Sequence, residues 1–160
     1  MQVRDIMTTA IWSCPDNASV ASAANTMLDH NCGFVPIVSG EGNVVGVLTD
    51  RDICMALVRR DLRPSELPVS ELSKGRIATC SPADEIHVAI QIMEGSKVRR
   101  LPVVEDGKLR GIVSMTDVLR NAVPIRTPDG DALTCADAVG ALKLINRIPR
   151  PCKPWVVAAE

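Results

Sequence analysis

Gly46-Val47-Leu48-Thr49-Asp50-Arg51-Asp52 and Gly111-Ile112-Val113-Ser114-Met115-Thr116-Asp117 follow one pattern: glycine, two apolar residues, a hydroxyl residue, two variable positions and an aspartate. Aligning the chain on this pair matches residues 3–53 to residues 69–118 at an offset of 66, which becomes 65 after one deletion in a turn. Identities include Val3/Val69, Ile11/Ile77, Cys14/Cys80, Met27/Met93, Pro36/Pro102 and Gly42/Gly107. Two copies are too few for a solenoid. They are therefore expected to cover each other's apolar faces about an approximate twofold axis, with neither half stable alone.

Each copy predicts the same elements. A short β-forming stretch, Ile11–Cys14 or Ile77–Cys80, precedes a helix with apolar residues at helical spacing: Val20, Ala23, Ala24 and Met27, then Ile86, Ala89, Ile90 and Met93. Asp16 and Asn17 offer caps for the first helix, and Ser81-Pro82-Ala83-Asp84 reads as a capping box opening the second. Two strands joined by a glycine-containing turn follow, Val35–Val38 to Val44–Leu48 and Leu101–Val104 to Leu109–Val113, and a further helix comes directly after. The expected class is α+β, as two β-α-β-β-α repeats. Residues 1–60 form the first, 61–68 the linker and 69–123 the second. Residues 124–160 add a helix over about 131–147, with a stripe of Cys135, Ala138, Val139, Leu142 and Ile145. Asp129-Gly130 marks the turn before it, and Pro149, Pro151 and Pro154 extend the tail. This appendage either packs on its own module or a dimer mate, or docks a client protein.

The repeated phrase carries the candidate chemistry. A hydroxyl three residues before a carboxylate at a strand-to-helix junction is also an ordinary capping box. Three features add a functional reading. The phrase recurs at equivalent points, led by a glycine that lets the backbone be approached closely. A helix start offers N–H donors to a phosphate, and an aspartate one turn in can accept both hydroxyls of a ribose. The second copy carries Arg99-Arg100 where the first has Gly33-Phe34. An arginine fork suits phosphate oxygens, although two solvated arginines on an edge strand would look the same.

Composition narrows the function classes. The 160 residues are 46% apolar, enough for one domain or two small ones without disulfide or metal support. Charge nearly cancels, 18 basic against 19 acidic, and only Trp12, Phe34 and Trp155 are aromatic, which disfavours nucleic acid as a partner. The six cysteines include no C-x-x-C pair, and His30 near Cys32 lacks further convergent ligands, so no metal residue is assigned. No apolar run approaches the roughly 20 residues a membrane helix needs, and no leader pattern opens the chain, so a cytoplasmic location is expected. Gly40-Glu41-Gly42 followed by Gly46 joins two strands and is no dinucleotide loop. No nucleophile elbow, P-loop or paired catalytic carboxylates occur, and no catalytic residue is assigned.

With these residues in view, the chain resembles the paired CBS domain, or Bateman module. The resemblance covers about residues 1–123 and rests on Val3–Met7, Pro36-Ile37-Val38, Pro102-Val103-Val104 and both glycine-to-aspartate phrases. It implies a disc-like regulatory module that binds AMP, ADP, ATP or S-adenosylmethionine between its repeats, requires no cofactor, forms homodimers and regulates a client enzyme or transporter. On that resemblance Asp52 and Asp117 would hold ribose hydroxyls, and Thr49 and Ser114 would meet phosphate. The stretches at Ile11 and Ile77 would line the adenine slot, beside Pro36 and Pro102 in the neighbouring strands. Arg99 or Arg100 would neutralise phosphate across the repeat interface from Asp52. The missing arginine before Pro36 implies one good cleft and one poor one. The alternative is a ligand-independent dimerisation scaffold with empty clefts.

Overall fold

Prolines decide where the ladder of each repeat begins in the computed structural model, which describes residues 1–73, 75, 77–123 and 132–146. β1 is only Cys14–Pro15, running parallel to Ile37 and Val38 of β2 (Phe34–Val38). Pro36 has no N–H to offer on that edge, so Ile11–Ser13 diverge instead of extending the expected strand. In the second repeat a single parallel bridge, Cys80 to Val103, stands for the whole strand, just beyond Pro102.

Between these strands lies α1 (Val20–Asp29), which buries Val20, Ala23 and Met27. Its cap is Ser19, whose hydroxyl accepts from the Ser22 N–H, rather than Asp16 or Asn17. β2 pairs antiparallel with β3 (Val44–Thr49), and α2 (Asp50–Arg60) follows without a break. In the second repeat α3 spans Ile86–Ser96. The expected capping box before it is instead a turn, in which the Asp84 carboxylate accepts from the Ser81 N–H at 2.7 Å and the Asp84 N–H donates to the Ser81 carbonyl. Proline at the second position of a tetrad suits a turn as well as a helix start, which is why the sequence misleads here. β4 (Arg100–Glu105) and β5 (Lys108–Ser114) pair antiparallel, and α4 (Met115–Asn121) closes the repeat. Their hairpin turns on Asp106 and Gly107, both at positive φ, the geometry a two-residue turn requires. The α+β architecture of two β-α-β-β-α repeats is present, with these short leading strands.

The repeats exchange their leading turns. Val3, in a 3-10 turn over Val3–Asp5, is fully buried in the second repeat's core with Ile86, Met93 and Leu101. Its N–H donates to the Asp84 carbonyl, and Thr8 exchanges two backbone bonds with Ile112. Val69, in the matching turn Val69–Glu71, is buried in the first repeat's core beside Leu67, Val20 and Leu48. The segment expected as a linker therefore contributes to the first core: Leu67 is buried and its carbonyl accepts from the Val20 N–H. The glycines that open the repeated phrases serve this exchange. A Cβ on Gly46 would lie 2.5 Å from the Ser73 Cβ, and one on Gly111 would lie 2.9 Å from the Thr8 carbonyl. The close approach expected at both glycines is made by the chain itself.

The appended helix α5 spans Cys135–Ile145 and packs on α3 and α4. Its buried face is Ala138, Ala141 and Ile145, with Leu142 partly covered, whereas Cys135 and Val139 point outward, against the expected stripe. The turn at Asp129-Gly130 and the prolines of the tail lie outside the described residues. Among the described residues no helix is long and apolar enough to cross a membrane.

Candidate functional site

The two repeated phrases place a hydroxyl and a carboxylate at the start of α2 and of α4. Asp52 Oδ2 accepts from the Thr49 N–H at 3.1 Å and the Thr49 hydroxyl at 2.6 Å, while Thr49 Oγ1 accepts from the Asp52 N–H at 3.2 Å. Ser114 and Asp117 repeat this at 2.9, 2.6 and 3.3 Å. Both boxes load one carboxylate oxygen, and among the described residues no hydrogen bond reaches Oδ1 of Asp52 or Asp117. Each aspartate thus keeps an oxygen able to accept from a ligand hydroxyl.

The box alone is not diagnostic. Thr134 and Asp137 cap α5 with the same bonds, at 3.0, 2.6 and 3.2 Å, and line neither of the two cavities described below. The open N–H donors expected at α2 are also engaged. Asp50 donates its N–H to the Gly33 carbonyl at 3.3 Å, Arg51 to Asp50 Oδ1 at 2.7 Å and Asp52 to Thr49 Oγ1. At α4 the Met115 N–H donates to the Arg99 carbonyl at 3.0 Å. An anion at α2 therefore depends on cationic side chains more than on the helix start.

What sets Thr49/Asp52 and Ser114/Asp117 apart is the space in front of them. A cavity of about 990 Å³ brings Thr49 and Asp52 of the first repeat against Ile77 and Pro102 of the second, with Arg99 and Arg100 on its wall. Its charged lining is Asp50 and Asp52 against Arg51, Lys97, Arg99 and Arg100, a formal excess of two positive charges. A smaller cavity of about 310 Å³ joins Ser114 and Asp117 of the second repeat to Ile11 of the first, with Arg100 and Arg120. We refer to these as clefts A and B. Each pairs a helix cap from one repeat with the diverging stretch of the other. Phe34 and Arg100 line both, so the position before Pro36 does not belong to one cleft alone. Pro36 is buried opposite Val47 and lines neither cleft.

Three features escape the sequence reading. Lys97, at the left-handed C-cap of α3, joins Arg99 and Arg100 in cleft A, and the run Lys97-Val98-Arg99-Arg100 was the signal available for it. Asp50 leans over Gly33, where a Cβ would meet its Oδ2 at 2.6 Å. Trp12, 53% exposed, stacks on His30 with ring centroids 3.6 Å apart at the edge of cleft B. Among the described residues no group of three or more His, Cys, Asp or Glu side chains could hold a metal ion. Burial raises the Cys14 thiol, and burial together with the Asp84 carboxylate pushes Cys80 up to about 12. Neither lines a cleft.

Two duplicated α+β units with clefts between them define a paired-repeat module. The family model described as the CBS domain matches residues 3–59 and again 69–123, and the chain belongs to that family. CBS domain-containing protein YhcV of Bacillus subtilis is 35% identical over 132 residues, covering 82% of this chain and 92% of the relative. A crystal structure of Hypoxic Response Protein I with two coordinated zinc ions is similar at TM-score 0.71 and 31% identity, covering 78% of this chain and 100% of that one. The CBS domain pair of protein MJ0100, crystallised with 5-methylthioadenosine and S-adenosyl-L-methionine, is similar at TM-score 0.66 and 30% identity, covering 75% and 94%.

Proposed function

We propose that the protein is a non-catalytic regulatory module that binds an adenosine-containing ligand, AMP, ADP, ATP or S-adenosylmethionine, and passes its state to a partner. The observation that carries this is cleft A, where a carboxylate with an unoccupied oxygen, an apolar stretch from the other repeat and several cations converge. The ribose goes to Asp52, the base to the Ile77 stretch and the phosphate to Arg99, Arg100 and Lys97, with Thr49 at its edge. The adenosine ligands named for the MJ0100 pair support the same class of ligand. Cleft B, smaller and less basic, is the weaker site, with Asp117, Ser114 and Ile11 in the corresponding roles.

AMP has about 23 non-hydrogen atoms, and at about −0.3 kcal/mol per atom its dissociation constant falls on the order of 10 µM. Titration calorimetry of AMP, ADP, ATP, adenosine and S-adenosylmethionine into ligand-stripped protein tests this. Asp52→Ala should remove binding at cleft A. Silence with every ligand favours the scaffold reading, to which the engaged donors of α2 lend support. A second copy of the chain is the proposed structural partner, with Leu28 of α1 and Val58 of α2, each 78% exposed, offering apolar surface. Val58→Glu should then shift the mass measured by light scattering toward the monomer. A client enzyme or transporter in the cytoplasm completes this reading.

A further inference from the structure

The wall of cleft A is tied to the appended helix. Lys97 Nζ donates to the Leu144 carbonyl at 2.8 Å, and the Arg99 guanidinium donates to the Asn146 side-chain oxygen. Asn146 is itself fixed, because its backbone N–H and its side-chain amide both donate to the Leu142 carbonyl, at 3.0 and 2.8 Å. That second bond leaves its oxygen for Arg99. Both cations line cleft A while held in this way. Each spends one donor on α5, so an ammonium with three and a guanidinium with five keep the rest for an anion.

From this geometry we infer that the end of α5 holds the cationic wall of cleft A in place, with Asn146 as a positioning residue for Arg99. The inference rests on the adenosine reading above and adds to it a role for a segment outside the duplicated repeats. Exposed lysine and arginine side chains lose much rotamer freedom when they grip a ligand. Anchoring them beforehand removes part of that loss, for the phosphate alone. Linkage is reciprocal, so a phosphate held by Lys97 and Arg99 must tighten α5 by the same factor.

The test compares AMP with adenosine by calorimetry in the wild type, in Asn146→Ala and in Asn146→Leu, which both remove the acceptor for Arg99 and leave every cation of the cleft in place. Losing the anchor of one side chain should weaken AMP about two- to tenfold. Adenosine should be unchanged, which also serves as the control for folding. Hydrogen exchange of the α5 amides should slow with AMP and not with adenosine. Equal weakening of both ligands in the variants, unchanged or tighter AMP binding, or α5 exchange indifferent to AMP would each overturn the inference while leaving the adenosine reading in place. If the wild type binds neither ligand, the adenosine reading fails and this inference falls with it.

Discussion

Replacing Val3 should damage the second repeat, the half of the molecule farther from it in sequence. Val3 is fully buried against Ile86, Met93 and Leu101 of the second repeat. Val3→Ala deletes two methyl groups, and at about 0.8 kcal/mol for each buried group plus the cavity left behind the cost is about 2 kcal/mol. The melting temperature should fall by roughly 4–8 °C for a domain of this size. Urea unfolding gives the magnitude, and an amide chemical-shift map gives the place. The shifts should cluster on α3, β4 and β5, with α1 and β2 little changed. The mirror variant, Val69→Ala, should move α1 and β3, because Val69 packs beside Val20 and Leu48. Shifts centred on residues 14–60 for Val3→Ala, or a loss below about 0.5 kcal/mol, the range of an ordinary surface substitution, would refute the exchange of leading turns.

Further predictions concern the crossing points, the cations and the thiols. Gly111→Ala places a methyl group against the Thr8 carbonyl and should cost about 1–3 kcal/mol, read from the urea midpoint, with Gly46→Ala costing a similar amount at Ser73. Arg99→Ala/Arg100→Ala should weaken AMP about tenfold by calorimetry and leave adenosine within about twofold, because only charge-assisted bonds to phosphate are lost. Alkylation followed by peptide mapping should label the exposed Cys54 and Cys135 quickly and the buried Cys14 and Cys80 only on unfolding. Cys80 is pushed from its ordinary value of 9.0 to about 12, so the unfolded chain releases that proton first as pH rises. Stability should therefore hold below pH 9.0 and fall between there and about 12, and Cys80→Ala should flatten that decline in urea titrations.

The parts of the fold legible in the sequence were those with a local period. Val20, Ala23 and Met27 recur at helical spacing and are the buried face of α1, and the strand pairs flank positive-φ turns at Gly42 and Gly107. The exchange of leading turns was not legible for a physical reason. Val3 and Val69 match each other, so self-comparison is the same whether each completes its own repeat or its neighbour's. The site followed the same division. Thr49, Asp52, Ser114 and Asp117 stand out as a repeated phrase, whereas Thr134-Cys135-Ala136-Asp137 fits the hydroxyl-to-aspartate spacing and makes the same cap away from both clefts. Lys97 meets Leu144, and Arg99 meets Asn146, only through packing of α5, which no local spacing encodes.

Each proline connects fold to cleft. Because the ladder starts only at Cys14 and at Cys80, the residues before them leave the sheet and face the helix cap of the other repeat. A single repeat would hold half of each wall and no cleft. A ligand seated in cleft A would therefore touch both repeats at once and stabilise the arrangement that brings Asp52 to Arg99, by RT ln(1 + [L]/Kd). At a hundred times the dissociation constant this is about 2.7 kcal/mol. Because each leading turn is buried in the other core, the repeats cannot part without exposing Val3 and Val69. On the proposed reading, ligand energy would be confined to small adjustments between repeats that stay joined, beside a helix packed on α3 and α4.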